Sequence, residues 1–141
     1  MSKVVDIARC WLGTPYVHQA STQAVGCDCL GLVRGVWREL HGDEPALVPA
    51  YTSDWDEVQG DEILWSAALN HLKPVDGAWR AGQILLFRMR SQAVAKHLGI
   101  LSQAGETMSF IHAYSGHGVL ESPLSRPWAR RVVARFELEG S

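Results

Sequence analysis

Cys29 opens a stretch, CLGLVRGVWREL, in which Leu30, Val33, Val36, Trp37 and Leu40 recur on one face at helical spacing. Asp28 just before it has the side chain of an N-cap, and His41-Gly42 supplies a C-terminal stop. A cysteine in the first turn of a helix lies among unpaired backbone N–H groups at the positive end of the helix dipole. That setting predicts a thiol pKa drawn down from its free value of about 8.5 toward neutrality. The resulting thiolate is the nucleophile that acyl transfer needs, and the same N–H groups can form an oxyanion hole. The bland alternative is an inert core cysteine, the usual fate of a lone thiol.

A base has to come from elsewhere in the chain. His97 heads a strand-like run, HLGILS, and His112 lies near the end of the next, TMSFIHAY. The two are 15 residues apart, room for two strands of about six residues and a short turn. In an antiparallel hairpin the start of one strand lies beside the end of the other, so the two imidazoles become neighbours at one end of the sheet. One can take the thiol proton while the other orients it. The chain also carries His18, His41, His71 and His117, so two ordinary strand-end histidines are the competing reading.

Zinc is the sharpest chemical rival. Cys27, Cys29, His112 and His117 supply two thiolates and two imidazoles, the ligand set of a structural zinc site. Against it, C-x-C is tighter than the usual knuckle spacing, and a helix beginning at Cys29 points the two thiols apart. The favoured reading has no metal and no cofactor, with Cys27 as a small apolar loop residue or a redox partner of the nucleophile. An odd count of three cysteines, with no leader in sight, argues against a disulfide framework.

The elements that must position these groups fall in two blocks. Residues 2–12 place Val4, Val5, Ile7, Ala8, Trp11 and Leu12 near a helical period, and Gly13 with Pro15 stops them. Residues 13–27 read as loop. After the Cys29 helix, whose Gly31 and Gly35 cost roughly 1 kcal/mol each and imply close packing of another backbone, residues 43–50 form a connector. Residues 52–72 read as helical, weakly around Gly60, with Pro74 as the stop. The period then changes to two. Residues 83–90, 97–102, 107–114, 118–121 and 131–138 are five strand candidates. Helices first and strands second predict an α+β domain, one unit spanning 1–141, with N-terminal helices packed on an antiparallel sheet of about five strands.

Composition bounds the partners. Apolar residues make up 47% and charged residues 20%, ordinary for a globular chain, and the formal net charge is -2. Without clustered Lys and Arg, nucleic acid is excluded as the main partner. The apolar N-terminal stretch is broken by Asp6 and Arg9, so it is read as neither a signal peptide nor a membrane span. A soluble cytoplasmic product is the expectation, delivered to any external substrate by other means.

GTPY (13–16), DCLGLV (28–33), QILLF (83–87), HLGI (97–100) and IHA (111–113) occur in the order and approximate spacing of the NlpC/P60 family of papain-like cysteine peptidases. The resemblance runs from residue 3 to about 136, and its DC-x-G-[LV]-V and HLGI blocks together are specific. It implies Cys29 as nucleophile, His97 as base and His112 as the residue that orients it. It places Tyr16 with its hydroxyl near the nucleophile, and Asp28 where a carboxylate can meet the free amine of a stem peptide's L-alanine. The implied fold is a nucleophile-bearing helix packed on a central antiparallel sheet. Two departures stand out: Leu30 replaces the Ser common after the nucleophile, and Gln19-Ala20 replaces a frequent Gly-Gly pair.

The resemblance implies a cysteine endopeptidase acting on peptidoglycan stem peptides, at the bond between γ-D-glutamate and diaminopimelate or lysine. The context CDCLGLVRGVWREL is similar to the cell-wall peptidase branch found with phage tail and gene-transfer-agent genes. Phage-tail-like proteins are therefore expected partners, and a virion-like particle the vehicle that brings the chain to the wall. Two other readings stay open: a tail-assembly subunit that keeps the fold without activity, and an amidase or acyltransferase using the same machinery on another substrate.

Overall fold

A computed structural model describes residues 2–42, 63–89 and 95–138. The first helix, α1 (Lys3–Arg9), is shorter than its apolar pattern but buries the face it exposes in sequence, Val4, Val5 and Ala8. Ser2 caps it, its hydroxyl accepting from the Val5 N–H at 3.3 Å. Trp11, just beyond, is buried.

The segment read as loop contains a small antiparallel ribbon, β1 (Ser21–Thr22) and β2 (Gly26–Cys27). Helix α2 (Cys29–His41) begins and ends where its sequence signals lie. The Asp28 carboxylate accepts from the Gly31 N–H at 2.8 Å, and Gly42, at φ 93°, returns its N–H to the Arg38 carbonyl at 2.7 Å. The glycines of α2 are contact points. A Cβ on Gly31 would lie 1.8 Å from the Ala20 carbonyl oxygen, and one on Gly35 2.1 Å from the Trp11 ring. So the first admits a neighbouring backbone, as expected, and the second admits a side chain.

Of the helix expected over 52–72, the second half is present as α3 (Ile63–His71); positions 52–62 lie outside the described residues. Then come β3 (Lys73–Val75), β4 (Ile84–Phe87), β5 (His97–Gln103), β6 (Ser109–Tyr114), β7 (Gly118–Pro123), a short helix α4 (Arg126–Arg131) and β8 (Val132–Glu137). One sheet has the order β3-β8-β4-β5-β6-β7, antiparallel throughout. It has six strands where the alternation indicated five. The extra strand is β3, whose Pro74 is tolerated because the strand pairs on one side alone, at the sheet edge.

The sheet separates two apolar layers. On one face Ile84, Leu86, Leu98, Ile100, Ile111 and Phe136 pack against α1 and α2. On the other Leu85, Phe87, Leu101 and Phe110 pack beneath Trp128 of α4. Phe87 faces His97 across the β4–β5 ladder. Ile100 faces Ile111 across β5–β6, so His97 and His112 lie diagonally on the face away from α2, both buried.

Candidate active site

Cys29 is the first residue of α2 and is packed at the margin of the core. Its thiol points to the Lys96 carbonyl oxygen at 3.7 Å. The backbone N–H groups of Leu98, Leu30 and Cys29 itself act on the sulfur and favour the thiolate. The sulfur therefore lies against the backbone on both sides of His97. Burial works the other way and is larger: reinforced by the Asp28 charge, it pushes the thiol up to about 12. The helix-end argument had the right donors and the wrong net sign, because desolvation of the anion outweighs them.

His97 Nε2 is 2.8 Å from His112 Nδ1, and His112 Nε2 is 3.1 Å from the Ser122 hydroxyl. Burial holds the His97 imidazole well below its ordinary pKa, with the neighbouring His112 adding to it. Burial lowers His112 as well, helped by His117. Both rings are neutral at pH 7. Trp128 roofs them, its ring centroid 5.7 Å from that of His97 and 5.2 Å from that of His112. Sequence reasoning missed Ser122 and Trp128. A hydroxyl on a strand and an aromatic just after a proline are common enough to carry no signal until register and packing place them.

Tyr16 is half-buried in a loop laced to β2: the Cys27 N–H donates to the Pro15 carbonyl at 3.0 Å, and the Val17 N–H to the Cys27 carbonyl at 3.1 Å. Burial, then Cys29, Asp28 and Cys27, push its phenol up to about 12, so it stays a hydrogen-bond donor. Asp28 is buried, with Oδ1 on the Gly31 N–H and Oδ2 accepting from the Gln19 N–H at 2.7 Å. His18 Nδ1 lies 3.9 Å from the same Oδ2. Gln19 stands at φ 65°, so the backbone keeps a left-handed turn that glycine adopts freely. Leu30 is partly buried against the core.

Cys27 is fully buried in the core, and burial followed by Asp28 pushes its thiol up to about 12; Cys10, Cys27 and Cys29 are all free thiols. His117 stacks on Tyr114, with centroids 5.3 Å apart and planes at 11°. Among the described residues no group of three or more His, Cys, Asp or Glu side chains is placed to hold a metal ion, so the four residues weighed as zinc ligands do not form a cluster. No helix among them is long and apolar enough to cross a membrane.

A helix that starts on a cysteine, laid on an antiparallel sheet with the cysteine sulfur against the backbone that flanks a buried, paired histidine, is the arrangement of a papain-like cysteine peptidase. The chain belongs to the NlpC/P60 family of such peptidases, whose pattern matches residues 13–137. Among solved structures it is similar to the NlpC/p60 domain of the peptidoglycan hydrolase SagA, with a TM-score of 0.63 at 22% identity over 96% of each chain. It is also similar to a Staphylococcus aureus Mu50 protein described as similar to lipoprotein, NLP/P60 family, with a TM-score of 0.60 and 19% identity. That likeness covers 98% of this chain and 41% of the staphylococcal one, so the chain spans less than half of that protein. No curated protein matches the chain.

Proposed function

We propose that the chain hydrolyses peptidoglycan stem peptides, cutting after γ-D-glutamate. Cys29 is the nucleophile, His97 the base and His112 the residue that orients it. The carrying observation is the 2.8 Å contact between the two imidazoles at the point where the Cys29 sulfur meets the backbone flanking His97. Family membership and the likeness to a domain of a peptidoglycan hydrolase support the substrate class.

Thiol and imidazole rest neutral in this mechanism. As the sulfur attacks the γ-D-glutamyl carbonyl, its proton passes to His97 Nδ1, the ring nitrogen not engaged by His112. Deferring that transfer to the attack avoids a buried ion pair in the empty site. The N–H groups at the start of α2 receive the developing oxyanion. His97 returns the proton to the leaving amine of diaminopimelate or lysine, and water hydrolyses the thioester. Tyr16 donates to the thiolate or the tetrahedral oxygen. Asp28 is proposed to meet a free L-alanine amine from the side where its Oδ2 faces His18. The Cys27–Leu40 context supports action at the cell wall as part of a phage-tail-like particle.

The test is digestion of purified peptidoglycan by wild type and Cys29→Ala with EDTA present, products read by mass spectrometry. Fragments ending in γ-D-glutamate from wild type alone are expected. Equal products from both proteins would sink the assignment of Cys29, and none from folded wild type would sink the proposal and favour the assembly-subunit reading.

A further inference from the structure

We infer that Ser122 is the terminal positioning residue of the catalytic relay, accepting the His112 Nε2 proton and so fixing which nitrogen of each histidine is free to act. The inference rests on the Cys29–His97–His112 reading above and extends it by one residue.

The argument is one of proton placement. His97 can take the thiol proton on Nδ1 only while its own ring proton sits on Nε2. From there that proton is donated to His112 Nδ1, 2.8 Å away. His112 Nδ1 accepts only while the His112 proton sits on Nε2. That N–H, on a buried ring, needs an acceptor, and the Ser122 oxygen stands 3.1 Å away. His97, His112 and Ser122 are thus linked in one direction, from His97 toward Ser122.

The fold places Ser122 for this use. It faces Phe110 across the β6–β7 ladder, next but one to the position opposite His112, so its side chain shares the face of both imidazoles. Trp128 closes over the same face, limiting water as a substitute acceptor. Were the serine to donate instead, His112 would carry its proton on Nδ1 and turn it toward His97. His97 would then hold its proton on Nδ1 and could not act as base there.

The experiment pairs kinetics with nitrogen-15 NMR of the imidazoles at pH 7. Wild type should show His112 with its proton on Nε2. Ser122→Ala should slow fragment release from purified peptidoglycan about tenfold, the worth of one well-placed hydrogen bond, and mix the two His112 tautomers. Ser122→Thr keeps the hydroxyl and should restore both the rate, to within about twofold, and the single tautomer. A wild-type His112 protonated on Nδ1, a Ser122→Ala enzyme as fast as wild type, or a slowed variant whose tautomer is unchanged would each overturn the inference. The tautomer is read without substrate, so its failure is distinct from failure of the peptidase reading, which shows as equal products from wild type and Cys29→Ala.

Discussion

The His97 and His112 rings meet edge to face, with planes at 79° and centroids 5.0 Å apart, which aims a nitrogen of one at a nitrogen of the other. Such a contact orients a base but does not charge it. Removing the proposed base and removing its proposed orienter should therefore differ in scale. His97→Ala should lose about three orders of magnitude or more in kcat/KM on peptidoglycan, because base and nucleophile act as a unit. His112→Ala should lose about ten- to a hundredfold, with His97 still present but less well aimed. Initial rates on variants whose circular dichroism matches wild type check this; equal losses would place both histidines in the same role.

The raised thiol and lowered imidazole predict how Cys29 reacts in the absence of substrate. A preformed thiolate–imidazolium pair gives an alkylation rate that levels off well below neutrality. Here the thiol is pushed up to about 12 and both rings are neutral, so the rate with iodoacetamide should keep climbing as pH rises from 6 to 9. Because Cys10 is an exposed free thiol, the measurement is made in a Cys10→Ser background and read by peptide mapping. A flat profile across that range would show the ion pair to exist in the resting enzyme.

The same shifts couple to folding. A histidine whose folded pKa lies below its unfolded value near 6.5 binds fewer protons folded than unfolded, so stability is full above about pH 6.5 and falls as the solution is acidified. For His112, lowered to about 4, the window runs from about 6.5 down to about 4. At pH 5 the loss is on the order of 2 kcal/mol. Urea unfolding of wild type and His112→Gln at pH 7 and pH 5 tests this. The wild type should lose more stability on acidification than the variant, and parallel losses would contradict the burial argument.

These outcomes separate what the sequence showed from what only packing reveals. The β5–β6 hairpin and the meeting of His97 with His112 were legible, because strand alternation and a short turn determine the pairing geometry. The start of α2 was legible from Asp28 and its end from Gly42, since capping is local chemistry. The sign of the Cys29 shift was not, because helix-end stabilisation is visible in sequence and the burial of the sulfur is not. Two elements were hidden behind prolines. Pro74 reads as a helix stop yet sits in edge strand β3, and Pro127 lies in the first turn of α4, a helix between two strand candidates. Ser122 was invisible because its partnership depends on a diagonal across two strands.

Gln19 and Ala24 carry positive φ values of 65° and 68° without being glycine. Left-handed backbone costs a side-chain-bearing residue about 1–2 kcal/mol, offset in part by the greater unfolded-state freedom of glycine. Ala24→Gly should therefore stabilise the protein by up to about 1 kcal/mol, seen as a Tm rise of a few degrees. Gln19→Gly should do the same while keeping the N–H that binds Asp28 Oδ2. A fall in Tm for both would mean that side-chain contacts outweigh the backbone strain.

Gly31 presents the opposite case, in which the side chain has no room. An added Cβ would stand 1.8 Å from the Ala20 carbonyl oxygen and 3.1 Å from Asp28 Oδ1, so relief requires moving backbone on one side of Cys29. The Ala20 carbonyl also accepts the Asp28 N–H at 3.3 Å, which ties the displaced loop to the residue before Cys29. Gly31→Ala should destabilise by about 3 kcal/mol or more and lower the Tm by roughly 10 °C. Activity measured well below that lowered Tm should still be reduced, since the shift moves the Asp28 cap and with it the N–H groups around the sulfur. Full activity in the folded variant would show that the loop at residues 19–20 can yield without disturbing Cys29.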